Sequence, residues 1–172
     1  MIRLGLLTSS RADFGIYLPL LKKIKGDSDF QCSLIVFGTH LSRFHGYTLD
    51  NIEAEGFEAK YRIESLVIGD TQESVSTSMG LTLIKFSSFW AEHKDEFDMV
   101  LCLGDRYEMF SAVTSGISFN IMFAHLHGGE QTLGAVDNVF RHSISHASAI
   151  HFASTEKHAA RLAEMLDDKS QI

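Results

Sequence analysis

Two arginines, two carboxylates and two histidines stand just past short apolar runs, where chemistry on a charged ligand would begin. Thr8-Ser9-Ser10-Arg11 follows the first run, Gly38-Thr39-His40 the second, and Gly104-Asp105-Arg106 the fourth. His127-Gly128-Gly129-Glu130 follows the fifth, and Asp137, Arg141 and His142 come a few residues later. Small hydroxyl residues ahead of a helix, beside an arginine, can hold a phosphate through backbone N–H groups. Carboxylates and a histidine on the same edge can move protons.

Each residue also has a plainer use. Thr8 to Ser10 can be a cap and turn, and Arg11 can pair with Asp13 on the surface. Asp105 can cap the helix that starts near Arg106, and Gly128-Gly129 can be a turn with positive φ. His127 can be a hydrogen-bonded loop residue. Asp137 can be an N-cap, with Arg141 its partner one helical turn on. What favours a site is that all of them gather on one edge.

The elements that place them are legible as two alternating periods. Apolar runs of strand length occur at Ile2–Thr8, Phe30–Phe37, Phe57–Ile63, Met99–Leu103, Ile121–Leu126 and Ala149–Ala153. Helical spacing fills the gaps at Phe14–Lys25, Tyr47–Glu55, Arg106–Ser118, Asp137–Ala147 and Thr155–Leu166, the last with Ser154 as its N-cap. A further helix opens with an Asp70–Glu73 capping box, and its apolar stripe is Val75, Met79, Leu83, Phe86 and Trp90. Strand, helix, strand with near-continuous apolar strands means an α/β parallel sheet covered on both faces. Right-handed crossovers make the doubly wound, Rossmann-like order 3-2-1-4-5-6 the leading topology, with Arg11 and Asp105 on one crevice.

Composition bounds the rest. A chain of 172 residues, 45% hydrophobic and 22% charged, suits a single globular domain, residues 1–172. A net charge of -7 argues against a nucleic-acid partner. No apolar run is long enough for a membrane span or a signal peptide. Cys32 and Cys102, each inside an apolar run, read as reduced thiols of a cytoplasmic protein. The end, LDDKSQI, reads as a cut or frayed terminus. After the first strand stands Ser-Ser-Arg, not G-x-G-x-x-G, which disfavours a dinucleotide cofactor; P-loop and G-x-S-x-G motifs are absent too. His142 and His146 have chelating spacing but no metalloprotease pattern, so no metal is expected; His142 is placed near the site and His146 in a structural role.

Four blocks together resemble the hydrolysing UDP-N-acetylglucosamine 2-epimerases of the bacterial sialic-acid and legionaminic-acid branch. They are TSSRADFG (Thr8–Gly15), GTHLSRFHGYTLDNIEAEGF (Gly38–Phe57), LGDRYEMFSA (Leu103–Ala112) and HLHGGEQTLGAVDNVFRHSISHASAIHFASTE (His125–Glu156). The resemblance implies one half of a GT-B fold, with substrate held between this N-terminal domain and a C-terminal domain outside the sequence. It implies conversion of a UDP-sugar to N-acetylmannosamine or an analogue plus UDP, without a cofactor, and commonly a homodimer. A diacetamido sugar is an alternative substrate. The isolated half is expected to bind weakly and to turn over little. By motif, Asp105, Glu130 and Asp137 form the acid–base set. His127 takes a proton-transfer place where many relatives have glutamate. Ser10, Arg11, His40, Arg106, Gly128 and Gly129 fall on the substrate side, and Arg141 and His142 orient the carboxylates or the ligand. A catalytically inert sugar-nucleotide-binding domain and a GT-B glycosyltransferase are the competing readings.

Overall fold

The computed structural model describes residues 1–132, 136–167 and 172. Most of the frayed end expected from the sequence, residues 168–171, lies outside them, as do residues 133–135 of the fourth block. Among the described residues, six strands alternate with six α-helices. In chain order these are β1 (Ile2–Thr8), α1 (Arg11–Lys25), β2 (Phe30–Phe37), α2 (Leu49–Ala54), β3 (Ala59–Ile63) and α3 (Gln72–His93). Then come β4 (Met99–Leu103), α4 (Tyr107–Ile117), β5 (Phe123–Leu126), α5 (Asp137–His146), β6 (Ile150–Phe152) and α6 (Glu156–Leu166). The sheet order is β3-β2-β1-β4-β5-β6 and every pairing is parallel, as the alternating periods require.

Alternation along the strands builds two cores. Leu6, Leu34, Val36, Leu101, Leu103 and Ala124 face α1 and α2, meeting Phe14, Tyr17, Leu21, Leu49 and Ile52. Leu7, Ile35, Phe37, Val100, Cys102 and Phe123 face the other way, against Phe86, Phe89 and Trp90 of α3, Met109, Ala112 and Val113 of α4, and Ile144 of α5. Trp90 is fully buried and donates its indole N–H to Ser115 Oγ at 3.0 Å, which satisfies its one polar atom inside the core. The order reverses between β1 and β4, and the crevice of such a sheet opens there, past the carboxyl ends of the strands.

Local details differ from the sequence expectation. Strands β3, β5 and β6 are shorter than their apolar runs, because Phe57, Ile121 and Ala149 lie before the paired ladders begin. The cap of α3 is Thr71, whose hydroxyl accepts from Ser74 N, so Asp70 makes no capping box. The buried face of α3 runs Ser78, Thr82, Phe86, Phe89 and Trp90, while Leu83 is exposed. Ser78 and Thr82 turn inward because they have partners: Ser78 accepts from Val67 N at 3.0 Å, and Thr82 bonds Ser65 at 2.7 Å. The cap of α6 is Thr155, which frees Ser154 for another contact.

Candidate active site

The ends of β4 and β5 converge on one guanidinium. Arg141 is buried on α5. Its Nη2 donates to Asp105 Oδ2, and its Nη1 donates to the His127 carbonyl at 2.8 Å and lies 3.5 Å from Glu130 Oε2. A planar fork can join a carboxylate on one strand end to a carbonyl and a carboxylate on the next, which an ammonium cannot do. Glu130 Oε1 also accepts from His127 Nδ1 at 2.8 Å and from Ser154 Oγ at 2.7 Å.

The backbone explains why these side chains meet. Gly104 has φ 77°, a left-handed turn that ends β4 and releases Asp105 from the strand. Its carbonyl accepts from His125 Nε2 at 2.8 Å, and Ser145 stands 3.0 Å from His125 Nδ1, so the ends of β4, β5 and α5 are tied through one buried imidazole. His127 takes φ 64°, unusual for a residue with a Cβ and costing roughly 1 kcal/mol. That conformation is held from three sides. His127 N donates to the Phe152 carbonyl at 3.0 Å, Arg141 holds the His127 carbonyl, and Arg161 Nη1 donates to the Gly129 carbonyl at 2.7 Å. Gly129 has φ 75°, and a Cβ there would meet the carbonyl of His158 on α6. The glycine pair is thus a packing requirement as well as a turn.

Electrostatics push the two main carboxylates apart. Burial raises the Asp105 pKa and outweighs the lowering by Arg141, and the Asp137 charge acts in the same direction as burial. For Glu130 burial also pulls upward, but the hydrogen bonds from Ser154 and His127 and the charges of His127 and Arg141 win, leaving its pKa below the usual value. Burial lowers His125 to about 3, so its imidazole is neutral near pH 7. Carboxylates with diverging pKa values in one cleft are the pattern of an acid–base site.

Other expected residues stand differently. Arg11 is exposed at the start of α1, and among the described residues it has no ion pair or hydrogen bond. Asp13 does not pair with it. Its carboxylate is buried and accepts from Ser9 N, Ser9 Oγ, Ser10 N and Ser10 Oγ. Ser10 is therefore a structural cap, its hydroxyl spent on Asp13, and not an open ligand donor. His40 is also taken up: it is buried, with Nε2 at 2.9 Å from Thr8 and Nδ1 at 2.8 Å from Thr48, and burial lowers it to about 4. Arg106 donates to the fully buried Glu108 at 2.8 Å and keeps a third of its side chain exposed. Asp137, at the first position of α5, and His142 have no hydrogen bond to Asp105 or Glu130 among the described residues. Burial lowers the His142 pKa, with Arg141 adding to it. The sequence offers Ser154 as an N-cap and gives no role to His158 or Arg161; the signal for all three is their i, i+4, i+7 spacing, one stripe leading into α6.

A family model described as UDP-N-acetylglucosamine 2-epimerase matches residues 22–172. The chain belongs to this family. It is 36% identical over 170 residues to a GDP/UDP-N,N'-diacetylbacillosamine 2-epimerase (hydrolyzing) of Campylobacter jejuni, covering 99% of the chain and 44% of that 2-epimerase. It is 33% identical over 159 residues to the polysialic acid biosynthesis protein P7 of Escherichia coli, covering 92% and 40%. Among solved structures of the family, a UDP-GlcNAc 2-epimerase of Neisseria meningitidis bound to UDP-GlcNAc superposes with a TM-score of 0.80 at 19% identity, over 99% of this chain and 44% of that one. Another UDP-N-acetylglucosamine 2-epimerase superposes with a TM-score of 0.86 at 15% identity. The fold is thus that of one half of such a 2-epimerase, and the chain spans less than half the length of its relatives.

Proposed function

We propose that this chain is the N-terminal half of a hydrolysing 2-epimerase acting on UDP-N-acetylglucosamine or a UDP-diacetamido sugar for sialic-acid-type nonulosonate synthesis. The carrying observation is the Arg141 bridge, which holds Asp105 and Glu130 together with His127 at one edge of the sheet. The C2–H of the sugar has no adjacent carbonyl and is barely acidic. Breaking the C1–O bond sends the electron pair off with UDP and makes C1 cationic, which acidifies C2–H. A side-chain base takes that proton as the C1=C2 bond forms. Water then adds its oxygen to C1 and gives up one proton to an ionised side chain, while an acid delivers a proton to C2 on the opposite face. The products are UDP and the free 2-epimer.

That sequence needs two proton-handling groups of different basicity. Asp105, raised by burial, is one; the His127–Glu130 pair is the other. Anionic carboxylates also favour a cationic C1. Exposed Arg11, beside the N-terminus of α1, and partly exposed Arg106 suit the departing pyrophosphate. A second domain completes the cleft in this reading, and no cofactor enters it. Homodimerisation belongs to the reading as well, supported by exposed Leu83 and Ile84 on α3 and Ile117 on α4. So does the cytoplasm, which suits the two free thiols. Among the described residues no helix is long and apolar enough to cross a membrane.

The test is release of UDP and a reducing sugar from UDP-N-acetylglucosamine and a UDP-diacetamido hexose by the chain joined to its second domain. Release with either sugar supports the reading and names the substrate. A folded two-domain protein that binds UDP but releases none from either returns the inert reading, and transfer to a glycoside returns the glycosyltransferase.

A further inference from the structure

Glu130 Oε1 receives two hydrogen bonds, and one comes from outside its own loop. Ser154, on the turn between β6 and α6, donates to it at 2.7 Å, while His127 Nδ1 donates at 2.8 Å. Ser154 Oγ also lies 2.9 Å from His158 Nδ1, one helical turn on. A hydroxyl has one proton, and an ionised carboxylate only accepts. The Ser154 proton therefore goes to Glu130, and the His158 contact runs the other way, with Nδ1–H donating to Oγ. Gly129 brings the partners close enough, since a Cβ there would collide with the His158 carbonyl.

We propose that Ser154 and His158 are positioning residues whose one-way donor chain, His158 to Ser154 to Glu130, aims the Glu130 carboxylate at His127. The inference rests on reading Glu130 and His127 as a proton-transfer pair. His127 faces Glu130 from its own loop, Arg141 from α5, and Ser154 with His158 from the α6 side; Asp105 feels its charge from the end of β4. Arg161 of α6 spends its bond on the Gly129 carbonyl and not on the carboxylate. If His158 instead carried its proton on Nε2, Ser154 would donate to His158, and Glu130 would lose a donor. With Oε1 held by His127 alone, the carboxylate becomes more basic and is less firmly aimed.

The experiment is a ¹³C NMR titration of glutamate-labelled chain in the wild type, Ser154→Ala, His158→Phe and His158→Asn. Ser154→Ala and His158→Phe raise the Glu130 midpoint, and His158→Asn, whose side-chain N–H replaces Nδ1–H, restores it. An unmoved midpoint in Ser154→Ala, with the amide spectrum still that of the folded chain, overturns the proposal. In the chain joined to its second domain, Ser154→Ala and His158→Phe lower kcat roughly tenfold, about 1.4 kcal/mol, with KM little changed. A rise in KM with kcat intact overturns it as well. A wild-type two-domain protein that releases no UDP defeats the epimerase reading, while the titration still decides the donor chain.

Discussion

Replacing Arg141 by methionine keeps an unbranched apolar stem and deletes the charge that joins Asp105 to Glu130. The Arg141 side chain is 7% exposed, whereas those of Asp105 and Glu130 keep 23% and 27% of their surface. Removing one partner of a fully buried pair costs about 3–5 kcal/mol, because the other charge is stranded. Partial access of both carboxylates to water moves the cost to the lower end, about 3 kcal/mol. For a domain of this length that lowers Tm by roughly 6–12 °C. Urea and thermal unfolding followed by circular dichroism read it. Arg141→Lys keeps the charge but cannot span Asp105 and the His127 carbonyl, so it falls between the two. Adding Asp105→Asn to Arg141→Met recovers part of the loss, since one stranded charge is gone, and the pair is non-additive. A loss below about 1 kcal/mol for Arg141→Met, or strict additivity in the double variant, refutes the bridge as the organiser of the strand ends.

Further expectations concern the same architecture. Gly129→Ala puts a Cβ against the His158 carbonyl at a φ of 75°, and it costs about 2 kcal/mol or more in urea unfolding; a neutral substitution contradicts the close approach of α6. Tyr17 is fully buried with no partner for its hydroxyl among the described residues, so Tyr17→Phe leaves stability unchanged or raises it by about 1 kcal/mol; a loss of that size means the hydroxyl is bonded. His40 and His125 are depressed from 6.5 to about 4 and about 3, so below pH 6.5 the unfolded chain binds protons that the folded chain refuses. Stability therefore falls as pH drops from 6.5 toward 5, by roughly 3 kcal/mol for the two together; flat stability across that window means both imidazoles take up protons in the fold as they do in the unfolded chain.

Sheet order and the gathering of polar residues at its carboxyl edge were legible because both follow from period. Apolar runs of five to eight residues and helical spacing between them leave few topologies, and those topologies put strand ends side by side. Asp105, His127 and Glu130 stand at strand ends for that reason, whereas Arg141, on α5, follows only from the motif. What the sequence could not convey is which polar atoms are already spent. Ser10 and His40 carry the same signal as a ligand donor, yet Asp13 takes one and Thr8 with Thr48 the other, and only three-dimensional neighbours show it. Ser154 was misread for a related reason. Ser154 and Thr155 are both good caps, and backbone geometry chose Thr155, which left the serine hydroxyl to reach across to Glu130. The stripe on α3 slipped because the 64–68 segment offers Ser78 and Thr82 buried partners, and polar pairing then outweighs hydrophobic spacing at that end.

The central claim is that Asp105 and the His127–Glu130 pair exchange a proton at C2 of a UDP-sugar. Running the two-domain protein in D₂O and locating deuterium in the released sugar tests it most directly. The account predicts one solvent deuteron at C2 of the 2-epimer, with UDP release lost in both Asp105→Asn and Glu130→Gln. A product that keeps its original C2 hydrogen, or release undiminished in both variants, contradicts it.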